Sequence, residues 1–359
     1  MLPKHILGNL PNINQAPYNS KPIGIGPFRV VRWKRGDSID MEANPYYWRG
    51  KPKLQRVTYK LIPDRNTLLT QLQTGDVDLW PLVPSGYIDR TKQITSFQTD
   101  VVPSYYFAHI DFNLKNPILA DIRVRQALRY ALDRKTIVEK TAHGYGIVQE
   151  SMLSPTSPFY DKDLATIPYD LGKAKQLLDQ AGWKPGPDGI RVKNGQKLSL
   201  TFASYTGAPD TDQRIELMRS SWKDVGIQIN LRKYAVNLFF ANPDGIVYGG
   251  KFDITIFSWG GDPNGDLSNL YSCKQIPPNG QDIMHFCSVR ADDAMEKAKL
   301  TYDEKARQQY VDTVQEQVVK DVPTVVLYVL KDGYAYNRDL TGFRPNQVSG
   351  FDDMMNVDI

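Results

Sequence analysis

Two extended apolar segments set the terms on which this sequence can fold. Tyr105 to Asn113 (YYFAHIDFN) and Thr324 to Val329 (TVVLYV) read as buried strands, and most of the helical patterns lie between them. The candidate boundaries therefore fall near residues 108–116 and 326–334, on strands rather than on Gly/Ser linkers. A chain that crosses a boundary twice along strands places one domain inside another, as hinge-bending binders do.

The pattern on either side predicts an α/β layer. Phe28–Trp33, the turn Lys34–Asp37 and the alternating Ser38–Glu42 predict a hairpin with one buried face, and Leu54–Ile62 a further strand. Asp64 is placed to cap a helix through Thr67–Leu72 with Gly75 past its end, and Val77–Trp80 returns as a short strand. Residues 1–23 read as loop. Val124, Ala127, Leu128, Ala131 and Leu132 form an apolar helical stripe, with Arg123, Arg125, Arg129 and Arg134 facing elsewhere. Further helices are expected over Asp170–Gln180, Arg214–Val225 and Asp303–Lys320, and strands over Ile227–Leu231 and Phe252–Phe257. No repeat or low-complexity tract is found.

With 359 residues the chain can fill two hydrophobic cores. Its net charge of +4 is interspersed rather than blocked, which argues against nucleic acid as a partner. The mean hydropathy of −0.44 fits a soluble chain, and no window approaches the apolar length of a membrane-spanning helix. Tyr is abundant, at 20 residues, and suits a site for polar organic ligands, although most tyrosines simply pack. The two cysteines, Cys273 and Cys287, frame a Pro/Gly-rich loop and read as one disulfide; two free thiols remain the alternative. A metal site there is disfavoured, because His285 is the one imidazole nearby.

Catalytic signatures are thin. There is no P-loop, no H-E-x-x-H, no C-x-x-C and no G-x-S-x-G, and Gly24-Ile25-Gly26 precedes a strand, so it is a turn rather than a dinucleotide fingerprint. His5, His109, His143 and His285 are scattered. One constellation stands out: an apolar strand runs into Trp259-Gly260-Gly261-Asp262, followed by Asp266. A carboxylate beside an indole suits a cationic head group, since the acid pairs with the charge and the ring shields it. A Gly-rich surface turn with its acids in solvent fits the same pattern equally well.

Taken in order, several segments resemble the family 5 extracellular solute-binding proteins, which include dipeptide- and oligopeptide-binding components of ABC importers. Leu2-Pro3-Lys4-His5 resembles an internal segment of that family. Gly24-Ile25-Gly26-Pro27-Phe28 with Trp33-Lys34-Arg35-Gly36-Asp37 is similar to its GTGPY…WKRGD, with Ile25 where Thr is usual. Asn44–Trp48 through Gly50-Lys51-Pro52, Leu72–Asp78, the helix Arg123–Arg134 and Tyr169-Asp170 through Ala181-Gly182-Trp183 match further segments.

The resemblance implies a two-lobed periplasmic-binding-protein-like α/β fold with hinge strands, closing on ligand like a trap. The first lobe is expected to be incomplete, because the Leu2–His5 segment lies well inside the family's mature chain. Residues 1–107 would be the remaining part of lobe I, 112–326 an inserted lobe II, and 330–359 the return to lobe I. Trp259-Gly260-Gly261-Asp262 resembles the W-x-x-D turn of peptide-binding members. That resemblance assigns the ligand's amino group to Asp262 and a shielding role to Trp259. It also supports the Cys273–Cys287 pair and, one or two residues out of register, makes Arg214 a candidate for the ligand's carboxylate; a solvated helix cap is the equal alternative. The implied protein is a non-catalytic monomer without cofactor, periplasmic or membrane-anchored outside a bacterial cell, delivering short peptides to a membrane permease. The same scaffold serving an oligosaccharide, opine, metal complex or haem is the alternative, and a hydrolase using Asp262 and Asp266 is the remote one.

Overall fold

A computed structural model describes residues 3–346, 351 and 354–359. Leu2 of the first family-like segment, and residues 347–350 and 352–353 of the C-terminal return, lie outside the described residues. The chain divides into two compact units, Met1–Val102 with Asp332–Ile359, and Pro103–Lys331. Both division points fall within long strands, Phe97–Phe112 and Thr324–Asn337.

In the larger unit a mixed sheet forms the centre. Ser199–Tyr205 pairs in parallel with Gln228–Tyr234 on one side and with Ile254–Gly260 on the other. Ile254–Gly260 in turn pairs antiparallel with the far half of Phe97–Phe112. Successive side chains on a strand point to opposite faces, so the sheet separates two cores. Ile254 and Ile256 join Phe202, Leu128 and Trp222 in one, while Phe257 and Trp259 pack with Phe107 and Phe239 in the other. Helices cover both faces. Ile122–Tyr130 buries Val124, Ala127 and Leu128, as its apolar spacing predicts, and Leu171–Gln180 starts at Asp170, whose carboxylate accepts the Lys173 N–H.

The arginines that face away from that stripe are not all solvent-exposed. Arg125, Arg129 and Arg134 are buried, and only Arg123 stays near the surface, paired with Asp121. Arg125 donates to the carbonyls of Leu119 (2.6 Å), Asp321 (2.5 Å) and Val322 (3.0 Å), and Arg129 to that of Val319 (2.6 Å). The last carbonyls of a helix have no partner within it, and these guanidiniums satisfy those of Glu304–Asp321. Arg134 donates to Gln149, Val326 and Ile167 carbonyls and pairs with buried Glu150.

The smaller unit holds a three-stranded antiparallel sheet, Phe28–Lys34, Ser38–Ala43 and Arg56–Lys60, with Gly36 at φ +78° in the hairpin turn. The hairpin forms where the alternation predicts it, but no residue in its two strands is fully buried. The reason is the size of the core beside it. Phe28 and Val57 reach the small cluster of Tyr334, Tyr336, Phe343, Met354 and Val357, whereas Val31 and Trp33 remain exposed. The helix Arg65–Thr74 begins at Asp64, which accepts the Thr67 N–H at 2.7 Å, and ends at Gly75 in the left-handed region. Residues 1–23 are not all loop. Lys4–Leu7 makes one helical turn, and Leu7 and Ala16 are buried. Among the described residues no helix is long and apolar enough to cross a membrane.

Candidate functional site

The strand Ile254–Gly260 brings Trp259 opposite Phe107 and Gly260 opposite Tyr106, and the Gly261 N–H continues the ladder to the Tyr105 carbonyl at 2.8 Å. Trp259 thus belongs to the strand, and the turn proper starts at Gly261. A Cβ on Gly261 would sit 3.2 Å from the Tyr105 carbonyl oxygen and 3.3 Å from that of Met152, so the backbone here runs close against its neighbours.

In the turn Asp262 accepts the Asn264 N–H on one carboxylate oxygen (2.6 Å), and its carbonyl accepts the Gly265 N–H (3.0 Å). Gly265 takes φ +74°, the left-handed conformation that closes the turn. Among the described residues the other Asp262 oxygen accepts no hydrogen bond, and the residue is half-buried. Asp266 is engaged differently. One of its oxygens accepts both the Ser268 N–H (2.9 Å) and hydroxyl (2.6 Å), at the first residue of the short helix Ser268–Tyr271. Each acid keeps one carboxylate oxygen without a hydrogen bond among the described residues; the engaged oxygen of Asp262 accepts one bond and that of Asp266 two.

These groups surround a recess of about 200 Å³ whose lining includes Phe107, Trp259, Asp262, Leu267 and Leu270. Gly260, Gly261 and Asp266 also face it. It offers one carboxylate, glycine backbone and apolar walls, which is the chemistry that holds an ammonium group with an organic body. The sequence pattern had pointed to Trp259, Gly260, Gly261 and Asp262. Phe107, Leu267 and Leu270 were not singled out.

Arg214 does not line this recess. It lies in the helix Pro209–Lys223, where its guanidinium donates to the Asp210 carbonyl (3.2 Å) and the Thr211 hydroxyl (3.0 Å) and stands 5.7 Å from the centre of the Tyr328 ring. Cys273 and Cys287 form the disulfide, closing the segment after the turn, so the single-bond reading of the pair holds. Within that loop burial pushes the Asp282 carboxyl up to about 8, with nearby Asp111 adding to the rise, while the Phe286 N–H bonded to it resists. His109 is a packed core residue: its Nδ1 lies 2.8 Å from Asp111 and its ring sits between Phe107 and Phe257. Among the described residues no cluster of three or more His, Cys, Asp or Glu is arranged to hold a metal ion.

Comparison with known proteins agrees with this architecture. The family described as bacterial extracellular solute-binding proteins, family 5 middle, matches residues 2–278. The oligopeptide-binding protein AppA of Bacillus subtilis is 33% identical over 353 residues, covering 96% of this chain and 64% of its own length. The solved structure of that AppA, in complex with a nonapeptide, superposes with a TM-score of 0.83 at 30% identity, covering 99% of this chain and 71% of that one. NikZ from Campylobacter jejuni, solved with Ni(L-His), gives a TM-score of 0.84 at 26% identity, covering 100% and 73%. The chain thus spans less than two thirds of the length of the Bacillus relative.

Proposed function

Because the chain belongs to the family 5 bacterial extracellular solute-binding proteins, we propose that it captures short peptides outside the cytoplasm and delivers them to the permease of an ABC importer, without chemistry of its own. The observation that carries this reading is Asp262: a half-buried carboxylate with one oxygen uncommitted, at the mouth of a strand and beside the Trp259 indole in a recess of peptide-terminus size. Its free oxygen takes the ligand's α-ammonium, Trp259 shields that pair from water, and the Gly260–Gly261 backbone lets the peptide main chain approach closely. The likeness to a nonapeptide-bound relative supports a peptide as the ligand. The two compact units are then the lobes, with the strands that pass between them as the hinge.

Isothermal titration of the chain with short free-amine peptides and their N-acetylated forms tests this. Acetylation removes the charge that Asp262 reads, so the acetylated peptides are expected not to bind. Asp262→Asn is expected to weaken binding by about 2–5 kcal/mol, the usual cost of removing one partner of a desolvated charge pair. Equal affinity for both peptide forms would discard the assignment. The likeness to a nickel–histidine binder favours a second reading, in which an amino-acid chelate is the ligand; that reading predicts binding of the complex and none of the peptides. Arg214 is proposed for the carboxylate end from the family pattern alone, and unchanged discrimination between free-acid and amidated peptides in Arg214→Gln removes it from the site.

A further inference from the structure

A second recess, of about 360 Å³, lies in the larger unit at the other end of the strand Ile254–Gly260 from Asp262. That strand is roughly 20 Å long, so the two recesses are separate. Three cations line this one. Lys115 follows the strand Phe97–Phe112, Arg232 lies in Gln228–Tyr234, and Lys251 lies in the loop leading into Ile254–Gly260. The one acid among the lining residues, Asp253, is already engaged: one carboxylate oxygen accepts the Asn116 side-chain amide at 2.6 Å and the other the Thr201 N–H at 2.7 Å. The Asn113 amide donates to the Gly250 (3.2 Å) and Phe252 (3.0 Å) carbonyls on either side of Lys251 and so fixes the loop that carries it. The Lys251 ammonium gives one hydrogen bond, to the Asp244 carbonyl at 2.7 Å. Among the described residues the Lys115 ammonium and the Arg232 guanidinium have no hydrogen-bond or carboxylate partner.

We propose that this recess is an anion site that takes a phosphate group. Like charges gathered in a cleft repel one another and focus its field outward, and a bound anion relieves that repulsion. Three cations against one carboxylate leave a surplus of two positive charges. A phosphate monoester, at about −1.5 to −2 near neutral pH, neutralises that surplus, and a carboxylate does not. The planar Arg232 fork supplies paired donors to two phosphate oxygens, with Lys115 and Lys251 beside it as point charges. The chemistry is the same for free phosphate and for a phosphomonoester head group on a lipid. This site stands independently of the role of Asp262.

Isothermal titration of the 359-residue chain with inorganic phosphate, against acetate at matched ionic strength, tests the site. Phosphate is expected to bind with a Kd on the order of 1 mM or tighter, and acetate ~10-fold more weakly. Arg232→Gln and Lys115→Gln remove the two cations without a partner among the described residues. Each is expected to weaken phosphate binding ~10-fold while leaving the melting temperature in phosphate-free buffer unchanged. Lys305→Gln, which removes the same charge from an exposed helix position elsewhere, is expected to bind phosphate as the parent chain does. Cosedimentation with phosphatidylcholine vesicles containing phosphatidic acid separates the two sources. Retention that is lost in Arg232→Gln assigns a lipid head group, and phosphate binding without retention assigns the free ion. Phosphate bound no better than acetate, or weakened as much by Lys305→Gln as by Arg232→Gln, overturns the site.

Discussion

At the scale of single residues, burial decides what the charged groups of this chain do. Asp282 has no exposed surface, and its carboxyl keeps its proton up to about pH 8, whereas an unfolded Asp loses it near 4. Between those values the folded state binds more protons than the unfolded one, so stability falls as pH rises through that window and levels off above it. Thermal melts from pH 5 to pH 8.5 are expected to show this fall. Asp282→Asn, which still accepts the Phe286 N–H, is expected to flatten it; an unchanged slope in the variant would assign the pH dependence to other groups. Arg134 makes the complementary case. Its planar fork reaches three carbonyls and Glu150 at once, an arrangement that a lysine ammonium on a single stem does not reproduce. Arg134→Lys is expected to cost about 2 kcal/mol or more in urea denaturation.

At the scale of elements, what was legible in the sequence was what is encoded locally. Asp64, Asp170 and Asp303 could be read as helix starts because a cap bonds an N–H three residues on, and in each case it does. The eighteen-residue helix Glu304–Asp321 depends on Asp303 in this way, and Asp303→Ala is expected to lower stability by about 1 kcal/mol, read from the denaturation midpoint. The Trp259–Asp262 run was legible for the same reason, since strand end, glycines and acid are contiguous. Phe107 was not. It reaches the recess because residue 107 pairs with residue 259, a register that no short-range pattern carries. The buried arginines failed similarly: a helical wheel shows which way Arg125 points, but its acceptors at Asp321 and Val322 lie nearly two hundred positions away. The central strand Ser199–Tyr205 carries a weak local signal because its small residues, Ser199, Ala203 and Ser204, blur the apolar pattern. The cysteine pair was legible as a bond. It ties down the segment that follows the Asp262 turn, and reduction of this short loop is expected to cost about 3 kcal/mol in the melt of the oxidised against the reduced chain.

At the scale of the whole molecule, the two units differ in how much apolar surface they bury. The larger has two extensive cores, one on either face of its sheet, with Trp222, Phe202, Tyr271 and Phe107 almost wholly enclosed. The smaller has fewer such residues: Leu72, Ile88 and Phe97 are enclosed and a cluster forms around Tyr334 and Phe343, while the hairpin strands of its three-stranded sheet bury none. Backbone hydrogen bonds in a sheet without an enclosed face open locally at little cost, because few packed side chains must part with them. Amide hydrogen exchange followed by mass spectrometry is therefore expected to label residues 28–60 well before residues 199–205 and 254–260, and at a rate independent of global unfolding. Peptide at saturating concentration is expected to slow exchange in the Trp259–Asp266 segment of the larger unit, since ligand bound to the folded state suppresses its openings. Protection that rose first in residues 28–60 and left the Asp262 turn unchanged would place the ligand on the smaller unit and away from the carboxylate.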